Sequence, residues 1–246
     1  MIKLFRNIRK RIISENKSVI WNTNYFKYAI GEILLVIIGI LIAVSVNDWN
    51  GVRKLKIEQQ FILKDLKQEM TENQKALEYA IKGNEKSFQA AVEMMALFND
   101  IEAFNKMSDS LFFALVTKMN FNYTYDPKYG ILNSIISSGQ INQLSDKELK
   151  YLLASIKELT IDALEDVWKI ETQRDELMKS SFNHAYLIKD NIITGYDIKL
   201  LYSYPDFRWA VDHLFYNIRR NGLEEEKKLK STLEHIIELI DQNIEK

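Results

Sequence analysis

The 246-residue chain contains no cysteine, two prolines, eight glycines and three histidines. Each shortage excludes something. Without cysteine there are no disulfides, thiol nucleophiles or thiolate metal sites. With so few prolines and glycines, chain breaks are rare and long helices are the economical reading. The histidines His184, His213 and His235 stand alone in the sequence. None falls in a Glu-x-x-His or His-Glu-x-x-His pattern, so the di-iron bundle and zinc-protease signatures are missing. No P-loop, dinucleotide fingerprint or Gly-x-Ser-x-Gly elbow occurs. No catalytic residue, metal ligand or cofactor is therefore expected, and the chain reads as a protein that is not an enzyme.

What is present is one long apolar run. Tyr28–Val46 (YAIGEILLVIIGILIAVSV) carries a single charge, Glu32, and is bracketed by Lys27 and Asp48. Twenty helical residues rise about 30 Å, the hydrocarbon thickness of a bilayer. Trp21, Tyr25, Phe26 and Tyr28 gather at one end and Trp49 marks the other, as interfacial aromatic belts do. Residues 28–48 therefore read as a transmembrane helix. The competing reading is a signal peptide cleaved near Ala43-Val44-Ser45. The 27 residues ahead of the run are long for such a leader and favour an uncleaved anchor.

Residues 1–27 hold seven Lys/Arg and one Glu. Within residues 1–13, Leu4, Phe5, Ile8 and Ile12 share one helical arc, with Lys3, Arg6 and Lys10 opposite. That pattern suits a basic amphipathic helix lying on an anionic cytoplasmic leaflet, or simply a positive topology signal. Short basic tails resist translocation, whereas long domains cross regardless of charge. The expected topology is a cytoplasmic amino terminus, with 49–246 outside the cytoplasm. That domain carries 26 basic and 31 acidic residues, a net charge of −5, which argues against a nucleic-acid surface.

The domain's apolar spacing is helical. From Val52 to Phe98 the stripe runs Leu55, Ile62, Leu66, Leu77, Ile81, Phe88, Val92, Met95 and Phe98. Such a helix would continue from the span for about 70 Å. Ser108 is a cap candidate for a helix over Asp109–Met119. Phe121–Tyr129 (FNYTYDPKY) is an aromatic loop, and Asp126-Pro127 predicts the start of a short helix ended by Ser138-Gly139. Ser145-x-x-Glu148 reads as a capping box for a helix to about Leu187. Its stripe is Leu149, Leu152, Ile156, Leu159, Ala163, Val167, Ile170 and Leu177. Pro205 starts the last helix, with Phe207, Val211, Leu214, Ile218, Leu229, Leu233, Ile236, Ile240 and Ile244 inward. Strands are possible around Ile192–Tyr196, but no sheet is expected. The fold class is all-α: an amino-terminal transmembrane helix continuing into an elongated antiparallel helical bundle.

The opening, MIKLFRNIRKRIISENK followed by YFKYAIGEILLVIIGILIAVSVNDWN, resembles the amino-terminal signature of an uncharacterised bacterial membrane-protein family, domain-of-unknown-function family 6090. A second similar stretch is Tyr129–Leu149 (YGILNSIISSGQINQLSDKEL). The chain departs at Val46-Asn47-Asp48, where the family more often has paired asparagines before the tryptophan. The resemblance implies a single-pass protein of a bacterial inner membrane with a periplasmic helical domain. It implies no activity.

Some residues stand out as candidates for contact. Gly31, Gly39 and Ala43 leave a smooth helix face, and Glu32 is an ionisable group in the span. Asn73, Asn84, Arg174 and Glu225 fall on or near apolar seams. They would either line a ligand slot, with Arg174 fixing an anion, or form a hydrogen-bonded layer that sets helix register. Charges over Glu224–Lys230 alternate like a solvated face. The aromatic stretches Asn122–Tyr129 and Tyr202–Trp209 would meet at one end of the bundle or staple helices to the core. The expected function is a membrane-anchored, non-catalytic interaction or sensing module. The alternative is an accessory subunit scaffolding a membrane complex through its transmembrane helix. Membrane lipid and a protein partner or second copy are the expected contacts, with no nucleic acid and an unknown ligand.

Overall fold

The computed structural model describes residues 23–244, with side chains from Tyr28 onward. The basic amphipathic tail, Trp21, and the side chains of Tyr25 and Phe26 lie outside the described residues. The chain divides into two compact units, 1–57 and 58–246.

Helix α1 spans Thr23–Leu97. In the first unit its apolar run is exposed apart from half-buried Ala29 and Gly31, and the Ser45 hydroxyl is satisfied by donating to the Leu41 carbonyl at 2.8 Å. In the second unit its inward face is Leu63, Leu66, Met70, Leu77, Ala80 and Ile81, then Ala91, Met94 and Leu97. The expected stripe is thus rotated by one residue at places: Leu63 replaces Ile62, and Ala91 and Met94 replace Val92 and Met95. Leu55 is exposed. Ile62 and Met95 still lie partly buried against the two apolar clusters, beside the positions that replace them.

Two short helices follow, α2 (Ile101–Lys106) and α3 (Asp109–Asn120). As expected, Ser108 caps α3, its hydroxyl accepting from the Leu111 amide at 3.3 Å. Helix α4 begins at Gly130, not at Pro127, and runs to Ser137. The Asp126-Pro127 start is wrong because a remote side chain caps this helix. The Glu69 carboxylate accepts from the amides of Ile131 at 2.7 Å and Leu132 at 2.9 Å. Gly139 ends the segment in the left-handed region at φ 75°, where a side chain would strain the backbone. Helix α5 (Lys147–His184) is capped by Asp146, which accepts from Leu149 at 3.0 Å, rather than by Ser145.

A small hairpin corrects the sheet-free expectation. Strands β1 (Tyr186–Lys189) and β2 (Ile192–Tyr196) pair antiparallel around Asp190 and Asn191, both at positive φ. Such a two-residue turn needs residues that tolerate the left-handed region, and Asp and Asn do. The bundle closes with α6 (Pro205–Ala210), a π-helical segment Val211–Ile218, and α7 (Arg219–Ile244). Pro205 opens α6 as expected.

The core consists of two clusters. One joins Leu63–Ile81 of α1 with α4, Leu149–Val167 of α5 and Leu223–Ile240 of α7. The other joins Ala90–Leu97 with α2, α3, Ile170 and Met178 of α5, and Phe207–Phe215. The two aromatic stretches therefore do not meet: Tyr123, Tyr125 and Tyr129 belong to the first cluster, and Tyr202, Tyr204 and Phe207 to the second.

Candidate functional site

Between the two apolar clusters the bundle interior becomes polar. Asn84, Arg219 and Glu226 are at most 2% exposed. They come from α1 and α7 at the level where α5 passes from Val167 to Ile170, and Ser87 is buried beside Asn84 on α1. The Asn84 amide is the hub. Its carbonyl oxygen accepts from Arg219 Nη1 at 3.0 Å and from the Tyr123 amide at 3.0 Å. Its nitrogen donates to the Tyr123 carbonyl at 3.0 Å and to the Glu226 carboxylate at 3.3 Å. One side chain thus holds the aromatic loop and both charges.

The charges themselves are incompletely served. Arg219 Nε and Nη2 have no hydrogen-bond partner, and neither has Asn122 Oδ1. An unpaired buried donor costs about 1–3 kcal/mol, and more when charged. The Phe215 ring, 5.9 Å from the guanidinium carbon, offsets part of this. Burial pushes the Glu226 carboxyl up to about 7, against the Asn84 hydrogen bond and the Arg219 charge. Burial likewise draws the Arg219 guanidinium down to about 10, opposed by Glu226. The space enclosed by Asn84, Asn122, Val167, Ile170, Arg219 and Glu226 is too tight to admit a water molecule. The layer is closed as it stands.

A second polar station lies three helical turns earlier on α1. Asn73, 1% exposed, accepts from the Lys128 amide at 2.8 Å and donates to the Lys128 carbonyl at 2.7 Å. Glu69 follows one turn before. Glu69, Asn73 and Asn84 therefore replace a neighbouring strand, tying segment 121–132 along α1 by its backbone. Gly83 lets the Tyr123 ring lie against the helix: a Cβ there would fall 2.3 Å from the ring's Cγ.

The other sequence candidates are placed differently. Arg174 is half-buried near the surface, paired with Glu171 at 3.2 Å and Asp175 at 3.0 Å, and Glu171 in turn accepts from Asn122 at 2.9 Å. Glu225 is half-exposed and bound to Lys228 at 2.6 Å. The buried carboxylate is its neighbour Glu226, so Glu224–Lys230 is not wholly a solvated face. The π-helical turn before α7 explains the shift, because its wider turn delays the inward face by one residue. Glu32 and Ala43 are exposed, and added Cβ atoms on Gly31 and Gly39 would meet nothing within 4 Å. The histidines are engaged separately: His184 stacks on Tyr204, His213 on Trp209, and His235 Nε2 contacts Glu148 at 2.8 Å. Among the described residues no group of three or more His, Asp or Glu is arranged to hold a metal.

Residues 32–183 match the model of a protein family described as "Family of unknown function (DUF6090)". The chain belongs to the DUF6090 family. The DUF6090 match contains Asn73, Asn84 and Arg174 and stops before Arg219 and Glu226. The layer thus joins Asn84 of the matched region to two charged residues from the helix after it. Comparison with curated proteins and with solved structures returns no match.

Proposed function

We propose that this DUF6090 protein is a membrane-anchored, non-catalytic helical bundle serving as an interaction or sensing module outside the cytoplasm. The observation that carries the anchor is the exposure of the apolar run. Every large apolar side chain over Ile33–Val46 is at least 46% exposed. Water opposes such a surface by about 1.5–3 kcal/mol per side chain relative to an apolar surround, and a bilayer removes that cost. Trp49, with Arg53 6.0 Å from its ring, suits a headgroup boundary. The bundle's buried polar groups are spent on holding a loop and joining helices, which favours a scaffold over a reaction centre.

The topology expected of this reading is a cytoplasmic amino terminus in a bacterial inner membrane and a periplasmic bundle. A tag placed after Lys246 should be cleaved by added protease only once the outer membrane is opened, while the protein resists carbonate extraction. Release by carbonate would sink the anchor, and protection of the tag in spheroplasts would reverse the orientation. Hydrolytic turnover by the purified chain would overturn the non-catalytic part. A second reading, an accessory subunit meeting a membrane complex through the helix, is favoured by the open face at Gly31 and Gly39. Capture of a partner that Gly39→Leu or Glu32→Gln abolishes would support it.

A further inference from the structure

On the outer side of the charged layer lies a groove of about 630 Å³ lined by α1, α7 and Lys118 of α3. Its walls are the sequence neighbours of the buried residues. Glu85 follows Asn84, Arg220 follows Arg219, and Lys227 follows Glu226. The size falls in the range of small-ligand sites.

The groove gathers positive charge. Five cations line it: Lys82, Lys86, Lys118, Arg220 and Lys227. Two are neutralised, Lys82 by Glu78 at 3.0 Å and Lys227 by Glu85 at 2.7 Å. Among the described residues, Lys86, Lys118 and Arg220 enter no ion pair. Glu224 is the one further acid in the lining, which leaves a surplus of two positive charges. Elsewhere among the described residues lysines are either matched, as in Lys67–Asp241, Lys169–Glu165 and Lys230–Glu234, or unpaired and outside this groove, as are Lys64, Lys75 and Lys179. Three unpaired cations converging in a domain of net negative charge repel one another, and a bound anion relieves that repulsion.

The floor is apolar. Phe88 and Leu223 line it, and the Phe88 ring stacks on Tyr216 at 5.5 Å between centroids. Arg220 lies 5.8 Å above the Tyr216 ring, held on its flat face. Its guanidinium fork matches the oxygens of a phosphate, with Lys86 and Lys118 as point charges.

We propose that this groove binds a phosphate monoester, its dianionic group held by Lys86, Lys118 and Arg220 and its organic part on Phe88 and Leu223. A phosphate monoester carries about −1.5 to −2 charges at neutral pH, which balances the surplus. The proposal deepens the sensing reading and rests on it only for what a bound ligand would signal. Loss of the anchor in the extraction experiment would leave the binding test intact.

The test is calorimetric titration of the full chain in phosphatidylcholine nanodiscs with phenyl phosphate. Saturable, salt-sensitive binding at one site per chain is expected, tighter than for inorganic phosphate. Lys118→Ala and Arg220→Ala, both exposed, should each weaken it by about tenfold. Lys75→Ala, at an exposed lysine of α1 outside the groove, should leave it unchanged. Absence of saturable binding overturns the proposal. An equal loss at Lys75 overturns it too, because that is a diffuse charge effect, and equal affinity for inorganic phosphate removes the ester. Displacement of phenyl phosphate by water-soluble dihexanoyl phosphatidic acid would assign the same site to a lipid headgroup. No displacement would assign it to a free ester.

Discussion

Asn73 and Asn84 sit on the same face of one helix and grip the same loop in the same way. Each amide offers its oxygen to a backbone N–H and its nitrogen to the matching carbonyl. Asn73 does nothing else, and it lies within an apolar cluster. Asn84 also carries a buried arginine and a buried glutamate, and it lies where one cluster gives way to the next. A satisfied neutral layer fixes a register at little cost. A charged layer with two orphan donors fixes it at considerable cost and becomes sensitive to protons.

Four experiments break or sharpen that contrast. The largest effect is expected from Asn84→Ala, which strips the loop, Arg219 and Glu226 of their shared partner. Unfolding by denaturant should show a loss of about 3–5 kcal/mol. A loss no greater than that at Asn73 would erase the distinction between the stations.

Next is the pH dependence of Glu226. Its folded pKa of about 7 lies above its unfolded value near 4.5, so the folded state holds the proton more tightly. Its contribution is therefore most favourable below about pH 4.5 and is lost as pH rises to about 7. The stability difference between the native chain and Glu226→Gln should shift by about 3 kcal/mol against the native chain across that window. A flat difference would mean that Glu226 is not held as the geometry implies.

Asn73→Ala comes third. It leaves the Lys128 amide and carbonyl without protein partners, at about 2 kcal/mol, with no pH dependence. The smallest effect belongs to Lys227→Ala, which removes an exposed pair with Glu85. Stability should change by less than about 1 kcal/mol. The midpoint of the Glu226 titration should move upward, because Lys227 holds it down. Chemical-shift titration of a labelled Glu226 carboxyl reads that directly, and an unmoved midpoint would separate the outer charges from the inner layer.

Long periodic segments were legible. The stripe of α7, most of that of α5, the cap at Ser108, the start at Pro205 and the long apolar run follow from local spacing. Leu159 of the α5 stripe, by contrast, is exposed, and Leu153 and Thr160 are buried instead. Failures came where a distant part of the chain decides. Glu69 caps α4 from about sixty residues away, so Asp126-Pro127 looked like the start. The π-helical turn changed the phase of the last helix, so Glu225 stood in for Glu226. Arg219 lay within Arg219-Arg220-Asn221, a stretch that reads as solvated, and Arg174 looked more internal than it is. The hairpin at Asp190-Asn191 lacks the usual glycine and has strands exposed on both faces, so no alternation marked it.

The stitching of segment 121–132 onto α1 also has a bearing on the order of events during folding. Ahead of α4 and in its first turn, that segment is held through the amides of Tyr123, Lys128, Ile131 and Leu132 by side chains 39 to 63 positions earlier. It has no shape of its own to nucleate, and closing so long a loop must precede any reward. Helix α1 and its partners must therefore assemble first and serve as the template on which the loop is laid down. Substitutions at Asn73 should accelerate unfolding while leaving the refolding rate nearly untouched.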